Sequence, residues 1–361
     1  MKKISSILIS LSVLVSGCSF LEVEPQGIYR TGDYYNNIAE LQTALRGVYS
    51  TMGVSALYGQ MYSGRMAQWG DLGYSNYSVD RGTVAENAVT TSDAKIKGYW
   101  QALYAGINNA NLLIANIDKA KDVDEKEKAS ILAQARFLRA YYYFMLTVKF
   151  VDVPLRTSPV TGSTVSELQI AQTPSSKVYE FIISEMEAAA QDVEPISKVT
   201  SPGVVSQSAV WGILARVCLY NAGSPNNTPG MYAKAREYAA KVIDSGLHSL
   251  NPDYKQVFIN YMQDLYDPQE SIFEVEFYGN NKSAYNSTAG QIGRCVGPRN
   301  KNIDAKSIGI ERLYVITGSR SASASEMCIN GLRPLMDVKM VGDTTYGKPN
   351  GMYVLMYPGE E

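Results

Sequence analysis

Apolar residues recur at helical spacing through much of the chain before residue 250, with polar side chains between them. This pattern is typical of helices that bury one face and expose the other. The predicted helices cover residues 33–52, 93–119, 124–149, 175–192, 207–222 and 231–245. The second helix follows Ser92 and Asp93, which suit an N-cap, and the third ends before Pro154, which cannot continue a helix.

The predicted helices form pairs, which indicates a repeat architecture. Trp211, Leu214, Ala215 and Cys218 match the spacing of the first helix of a tetratricopeptide repeat. Ala235 fits the register of a second helix in the same scheme. The sequence therefore predicts a mainly α fold, a tetratricopeptide-like α–α superhelix with long loops.

Three segments depart from the helical pattern. Residues 53–92 form a long irregular stretch rich in tyrosine and tryptophan, and long loops of this kind are often functional. Residues 271–278 alternate apolar and acidic side chains, which predicts a half-buried strand. Beyond residue 312, apolar runs at 313–317 and 338–342 flank a helix from about residue 323. That order predicts a small β/α/β fragment.

The long aromatic segment carries the residue types that bind sugars. A sugar ring presents an apolar face and a rim of hydroxyl groups, so a site needs flat aromatic rings beside forked polar groups. The candidate glycan-binding residues are Trp69, Asp71, Tyr74, Asn76, Tyr77 and Arg81. The alternative is that these aromatic residues pack the loop onto the helices.

Composition and charge bear on whether the chain binds nucleic acid, a metal ion or a cofactor. The net charge is −2 without a block of like charges, so nothing indicates nucleic-acid binding. The single histidine, His248, follows the end of a predicted helix, where a loop position is expected. One histidine excludes an HxxxH-type zinc site, and the cysteine spacing matches no metal or redox motif. We expect no metal and no cofactor.

The first 18 residues predict export. Lys2 and Lys3 precede a short apolar run over residues 4–15, which is too short to span a bilayer. The sequence "VSGC" at the end of this segment resembles a bacterial lipobox, in which Cys18 is acylated and becomes the mature N-terminus. An ordinary secretory signal with an incidental cysteine is the alternative. A lipid anchor at Cys18 implies a membrane-tethered, exported protein.

Four stretches of the helical region strongly resemble the SusD/RagB family: "YWQALYAGINNANLLIANI", "AQARFLRAYYYFMLTVKFVDVPL", "AVWGILARVCLYNAG" and "QESIFEVEF". The resemblance implies a lipid-anchored, surface-exposed outer-membrane lipoprotein that binds glycans or other nutrients without chemistry. It also implies a SusC-like TonB-dependent transporter as partner. Val151 stands where the family pattern has glycine. The family pattern continues well beyond residue 295, so this domain is expected to be C-terminally incomplete.

Residues from Leu313 onward resemble the carboxy-terminal processing (tail-specific) serine protease family. The resemblance rests on "ASASE" at 322–326 and "TYGK" at 345–348. It implies that Ser323 is the nucleophile, that Lys348 is the general base and that the backbone N–H of Ala324 is an oxyanion donor. Lys348 can act only as a neutral amine, so the two predicted strands must supply an apolar wall around it.

The peptidase signature is incomplete. The second oxyanion donor of the family comes from an upstream glycine segment that this sequence does not show, and Met352 replaces a frequent glutamine. The interpretation is therefore a signal peptide (1–18), a SusD-like helical domain (19–295), a linker or gene junction (296–311) and a peptidase fragment (312–361). The predicted function is delivery of oligosaccharide to a TonB-dependent transporter. The alternatives are a tethered serine peptidase with a Ser323–Lys348 dyad and a non-functional chimeric chain.

Overall fold

A computed structural model of the chain describes two regions. In the helical region it describes residues 34–64, 89–121, 123–160, 162, 164, 169–262 and 265–277. In the C-terminal region it describes residues 312–319, 321, 326, 329–330, 332–333, 337–345 and 347.

The six predicted helices are present close to their predicted bounds, and the described residues contain two further helices, Met61–Gly64 in the segment predicted to be irregular and Tyr254–Met262. The described helices are α1 (Ile38–Ser50), α2 (Met61–Gly64), α3 (Ala94–Asn116), α4 (Glu125–Phe150), α5 (Ser175–Asp192), α6 (Gln207–Ala222), α7 (Met231–Asp244) and α8 (Tyr254–Met262). Short 3₁₀ turns follow α1, α3 and α5. The Asp93 carboxylate caps α3 by accepting from the backbone N–H groups of Lys95 and Ile96.

Consecutive helices pack against each other, which confirms the predicted helical array. Helix α4 packs against α3 and α5, and α6 packs against α5 and α7. Helix α1 packs across α3 and α4. Residues 137–147 of α4 are all buried, so this part of the helix has no solvent-facing side. A helix buried on every side lies in the core, and α4 is the central element of the helical region.

Buried tyrosines tie the helices and their connections together through their hydroxyl groups. The Tyr99 hydroxyl donates to the Met145 carbonyl at 3.1 Å, and the Tyr142 hydroxyl donates to the Val48 carbonyl at 2.6 Å. A buried phenol needs such a partner, because an unsatisfied hydroxyl costs free energy in an apolar core. Part of the tyrosine content of the chain therefore serves helix packing.

Residues 271–278 were predicted to form a strand, and this prediction is wrong for the described residues 271–277, which have irregular backbone. The alternation has another cause: Phe273 packs edge-on against Phe137 and Tyr141 of α4, with ring centroids 5.7 and 6.3 Å away. The backbone N–H of Glu274 donates to the Pro202 carbonyl at 3.2 Å. Phe273 and Val275 pack on the core, while Glu274 and Glu276 accept hydrogen bonds, so apolar and acidic side chains alternate here without a strand.

The described part of the C-terminal region contains two parallel strands, β1 (Arg312–Thr317) and β2 (Asp337–Gly342). Arg312 pairs with Asp337 in the register, and the described residues 326, 329, 330 and 332 between the strands are helical. Parallel strands need a crossover connection of this kind. The predicted β/α/β order is confirmed.

A buried ion network fixes the centre of the helical region. Arg139 of α4 is 5% exposed, and its Nε and Nη2 donate to the Glu185 carboxylate of α5. Its Nη1 donates to Asn111 Oδ1 of α3 at 2.7 Å and to the Thr157 carbonyl at 3.3 Å. The guanidinium also lies 5.4 Å from the centroid of the Phe181 ring. One side chain thus joins three helices and the segment after α4.

The chain leaves α4 through a strained residue. Val151 has φ 63° and ψ −90°, a conformation that β-branched residues rarely adopt. Its N–H donates to the Thr147 carbonyl at 3.0 Å, and its own carbonyl accepts from the Thr147 hydroxyl at 2.5 Å. Backbone strain of this kind costs about 1–3 kcal/mol.

Replacing Val151 with glycine is expected to raise the free energy of unfolding by about 1 kcal/mol. Glycine adopts positive φ without strain, and this gain exceeds its entropic cost of about 0.5–1 kcal/mol. Urea denaturation measures the change. Val54→Gly is a matched control, since Val54 is 40% exposed, as against 41% for Val151, but has φ −68°. Destabilisation by both variants would contradict the strain argument.

Arg139→Met is expected to lower the free energy of unfolding by about 3–5 kcal/mol, because it leaves the Glu185 carboxylate buried without its cation. The Glu185 side chain is 14% exposed, so water solvates only a small part of the carboxylate in place of the guanidinium. The double variant Arg139→Met/Glu185→Met should recover most of the loss, because it removes both charges. Equal stability of the single and double variants in urea would show that the ion pair is not the cause.

Candidate functional site

The residues predicted from the sequence to bind or react lie outside the described residues. This holds for Trp69, Asp71, Tyr74, Asn76, Tyr77 and Arg81 of the aromatic segment, for Ser323, Ala324 and Lys348 of the peptidase signature, and for Cys18. Their roles stay predictions. The described residues next to the aromatic segment and next to the peptidase signature show how these two parts are connected to the rest of the fold.

The first part of the aromatic segment is fixed by packing on the helical core. Tyr58 and Tyr141 of α4 share a short hydrogen bond between their hydroxyl groups. The Tyr62 ring lies edge-on to Tyr58 at 5.1 Å and stacks on Tyr99 of α3 at 5.9 Å. Burial, together with the neighbouring Tyr141, raises the pKa of Tyr58 well above its usual value, so the phenol stays neutral. The aromatic segment thus starts from a rigid base.

A groove of about 770 Å³ lies between α1, α4 and residues 274–276. We name it the Tyr49 groove. Its polar lining consists of Gln42, Arg46, Tyr49, Ser50, Gln134, Ser201, Glu274 and Glu276, and its apolar lining includes Leu45, Met52, Val204 and Val275. The volume lies in the range of small-molecule sites.

Hydrogen bonds hold the aromatic ring of the Tyr49 groove in place. The Tyr49 hydroxyl donates to Gln134 Oε1 at 2.8 Å and accepts from the Val205 N–H at 2.9 Å. Burial raises the pKa of Tyr49, so its phenol also remains neutral. A ring that is fixed at its hydroxyl end loses little conformational entropy when a ligand packs against it.

Charged groups lie on opposite sides of the Tyr49 groove. The Glu276 carboxylate accepts from the Gly203 N–H and from the Tyr266 hydroxyl, both at 3.0 Å. Arg46 is exposed on α1 and has no ion-pair or hydrogen-bond partner among the described residues. Sequence reasoning missed this groove, because its residues come from positions 42 to 276 and only the fold brings them together.

In the C-terminal region one hydrogen bond links a residue close to Ser323 in the sequence with the residue that precedes Lys348. The Gly347 N–H donates to Glu326 Oε1 at 2.7 Å, and Glu326 is buried. Glu326 lies three residues after Ser323, and Gly347 immediately precedes Lys348. Gly347 has φ 85°, which glycine adopts without strain.

Four further observations concern metal ligands, membrane spans, the histidine and a cysteine in the described parts of the chain. They contain no group of three or more His, Cys, Asp or Glu side chains that could hold a metal ion. None of the described helices is long and apolar enough to cross a membrane. His248 lies in a loop, as predicted, with Nδ1 3.2 Å from the Gln269 carbonyl. Cys218 is buried, and burial raises the pKa of its thiol to about 11.

The helical array and the sequence together define a class of protein. Residues 19–219 match the model of a SusD-like family described as starch-binding and associating with the outer membrane. This chain belongs to the SusD-like family, as the resemblance of its helical region implied.

Relatives of known structure or curated sequence share this class. The SusD-like protein P2 of Formosa agariphila is 30% identical over 295 residues, which cover 79% of this chain and 55% of that protein. The crystal structure of a SusD homolog from Bacteroides thetaiotaomicron is similar at 27% identity and a TM-score of 0.63, over 70% of this chain and 50% of the other.

A laminarin-binding SusD-like protein shares the fold at 23% identity and a TM-score of 0.52, over 62% of this chain and 48% of the other. The chain spans about half the length of the curated relatives that it matches.

Proposed function

We propose that this chain is a glycan-binding lipoprotein of the outer membrane that delivers oligosaccharide to a SusC-like TonB-dependent transporter. Family membership supports the class of ligand, and the acylation signal at Cys18 supports the anchor. The observation that carries the proposal is the Tyr49 groove, whose lining includes Gly53, the first residue of the aromatic segment. The transporter follows from the resemblance to the SusD family.

The chemistry of the Tyr49 groove suits a sugar. The Tyr49 ring is half-buried in the lining, and the guanidinium of Arg46 is a forked donor. Gln42 Nε2 donates to Glu127, which leaves Gln42 Oε1 to accept from a ligand, whereas the Gln134 amide is already engaged by Tyr49 and Ser130. Glu276 places acceptor oxygens on the other side of the groove. Sugar hydroxyl groups both donate and accept, so a lining of donors and acceptors matches them better than a uniformly apolar one.

Trp69→Ala is expected to weaken glycan binding by about tenfold or more, because stacking of a sugar on an indole is the largest single apolar contact that the aromatic segment offers. Affinity gel electrophoresis against a panel of polysaccharides measures the retardation. Tyr232→Ala is the control, since Tyr232 is a 64% exposed aromatic residue on α7 that does not line the Tyr49 groove.

The proposal requires two results from the affinity gel. At least one polysaccharide must retard the wild-type protein, and Trp69→Ala must migrate faster than Tyr232→Ala in the same gel. Failure of the first removes the glycan-binding function, and failure of the second removes the role of the aromatic segment.

A serine peptidase is the second candidate function, favoured by the hydrogen bond from Gly347 to Glu326. In this reading Ser323 attacks a peptide carbonyl, Lys348 accepts the hydroxyl proton as a neutral amine, and the Ala324 N–H binds the oxyanion. Catalysis needs all three groups together with a complete oxyanion hole. The sequence supplies one oxyanion donor and lacks the upstream glycine segment of the family.

We expect a fluorophosphonate probe to leave the purified chain unlabelled, because the signature is incomplete. Mass spectrometry of the treated protein detects a covalent adduct at Ser323, and Ser323→Ala is the matched control. An adduct on the wild-type chain that disappears in Ser323→Ala would establish the peptidase and overturn this expectation.

A further inference from the structure

The carboxylate of Glu276 in the Tyr49 groove is held at both of its oxygens. Its Oε1 accepts from the Gly203 N–H and its Oε2 accepts from the Tyr266 hydroxyl, both at 3.0 Å. Glu276 is half-buried and lines the groove. A carboxylate that is fixed in this way keeps its orientation when a ligand arrives, so little conformational entropy is lost on binding.

The close approach of Gly203 to this carboxylate depends on the absence of a side chain at residue 203. A Cβ atom on that residue would lie 2.5 Å from Glu276 Oε1 and 2.7 Å from its Cδ. Atoms in a packed protein do not come this close, so alanine at residue 203 would push the carboxylate away. The position of the Glu276 carboxylate is therefore set by contact with Gly203 as well as by hydrogen bonds.

Glu276 keeps acceptor capacity beyond these two hydrogen bonds. A carboxylate has about four lone-pair sites. The Gly203 N–H and the Tyr266 hydroxyl use one on each oxygen, which leaves another on each. Because both oxygens belong to one rigid planar group, two neighbouring hydroxyl groups of one sugar ring can donate to them at the same time. Hydrogen bonds to an ionised acceptor are shorter and stronger than those between neutral groups.

The charged residues of the Tyr49 groove favour a neutral donor over a charged one. Arg46 lines the same groove, so an ammonium or guanidinium group that pairs with Glu276 shares the groove with a like charge. A carboxylate or sulfate group is repelled by Glu276 itself. A hydroxyl group donates to Glu276 and accepts from the Arg46 guanidinium, so it suits both residues.

We propose that the Tyr49 groove binds neutral glycans through a vicinal diol, with two adjacent hydroxyl groups of one sugar unit donating to the carboxylate of Glu276. In 1,4-linked pyranose chains the hydroxyl groups on C2 and C3 are both free, whereas a 1,3-linkage engages the oxygen on C3 of each internal unit. The groove therefore selects 1,4-linked chains. This inference rests on the proposed glycan-binding function and specifies the class of ligand that the same groove takes.

Isothermal titration calorimetry of the full chain with four neutral 1,4-linked hexaoses tests the inference. The ligands are maltohexaose, cellohexaose, mannohexaose and xylohexaose, each paired with its 2,3-di-O-methyl derivative. At least one hexaose should bind, and its methylated partner should bind about tenfold or more weakly, because methylation removes both hydroxyl protons and leaves the carboxylate without its donors.

Glu276→Gln should lower the affinity for the bound hexaose by about tenfold or more, because the glutamine amide replaces one acceptor oxygen with a donor and removes the charge. It should also bind the native and methylated hexaoses with nearly equal affinity. This loss of discrimination separates a contact with the diol from a general effect on the fold. Glu187→Gln is the matched control, since Glu187 of α5 is half-buried, accepts from the Tyr238 hydroxyl and does not line the groove.

Gly203→Ala is a second variant, which keeps the charge of Glu276 but displaces its carboxylate. It should weaken hexaose binding and reduce the discrimination against the methylated partner in the same direction as Glu276→Gln. Circular dichroism of each variant shows whether the fold is intact, and either variant that folds is sufficient for the test.

The outcomes separate this inference from the proposed function. Binding of none of the four hexaoses, or undiminished discrimination in the folded variants, overturns the inference. Retardation by laminarin or another polysaccharide that depends on Trp69 still supports the proposed function in that case. If no hexaose binds and no polysaccharide retards the protein, both proposals fail.

Discussion

A charged guanidinium in the middle of a helix core is stable only if it finds acceptors on every side. Arg139 of α4 meets this requirement with Glu185 of α5, Asn111 of α3 and the Thr157 carbonyl. Each of these acceptors comes from a different element, so the charge can be satisfied only when α3, α4 and α5 have docked together. A buried ion pair contributes little net stability compared with apolar packing, but breaking it is expensive. Its main effect here is to fix one arrangement of the three helices.

The same network extends to the segment that follows α4. Asn111 accepts from Arg139 through Oδ1 and donates through Nδ2 to the carbonyls of Arg156 and Ser158. Tyr143 of α4 adds two hydrogen bonds to the backbone of Arg156. The backbone of Arg156 and Ser158 is therefore an extension of the buried core. Core tyrosine, asparagine and arginine side chains position the segment that follows α4.

The sequence predicts the helices well, because a buried stripe on a helix leaves a period that no other element produces. Residues 175–192 and 207–222 coincide with α5 and α6. The same logic fails at residues 271–277, where Phe273 packs on α4 without a neighbouring strand. A period of two reports that alternate side chains are buried, and it does not report what the backbone pairs with.

The Tyr49 groove cannot be predicted from the sequence in this way, because Arg46 and Glu276 are far apart in the chain and only the fold brings them to the same groove. Trp100 and Asn108 lie in the motif "YWQALYAGINNAN", whose helical period also predicts a stripe of core residues. The same spacing fits a helix face buried in the core and one that lines a cleft, and only the packing of residues 154–160 distinguishes them.

The C-terminal region carries the sequence signature of a serine peptidase, but a signature does not by itself provide the apolar surroundings that a neutral lysine needs. A lysine becomes a general base at neutral pH when apolar surroundings remove water from its ammonium form and lower its pKa. The sequence assigns that role to the two strands, yet Tyr314 and Ile316 of β1 are 63% and 86% exposed, and Val341 of β2 is 49% exposed. In the described part of the chain these strands do not form an enclosed apolar wall. The hydrogen bond between Gly347 and Glu326 aligns the two segments, but alignment alone does not lower the pKa of a lysine.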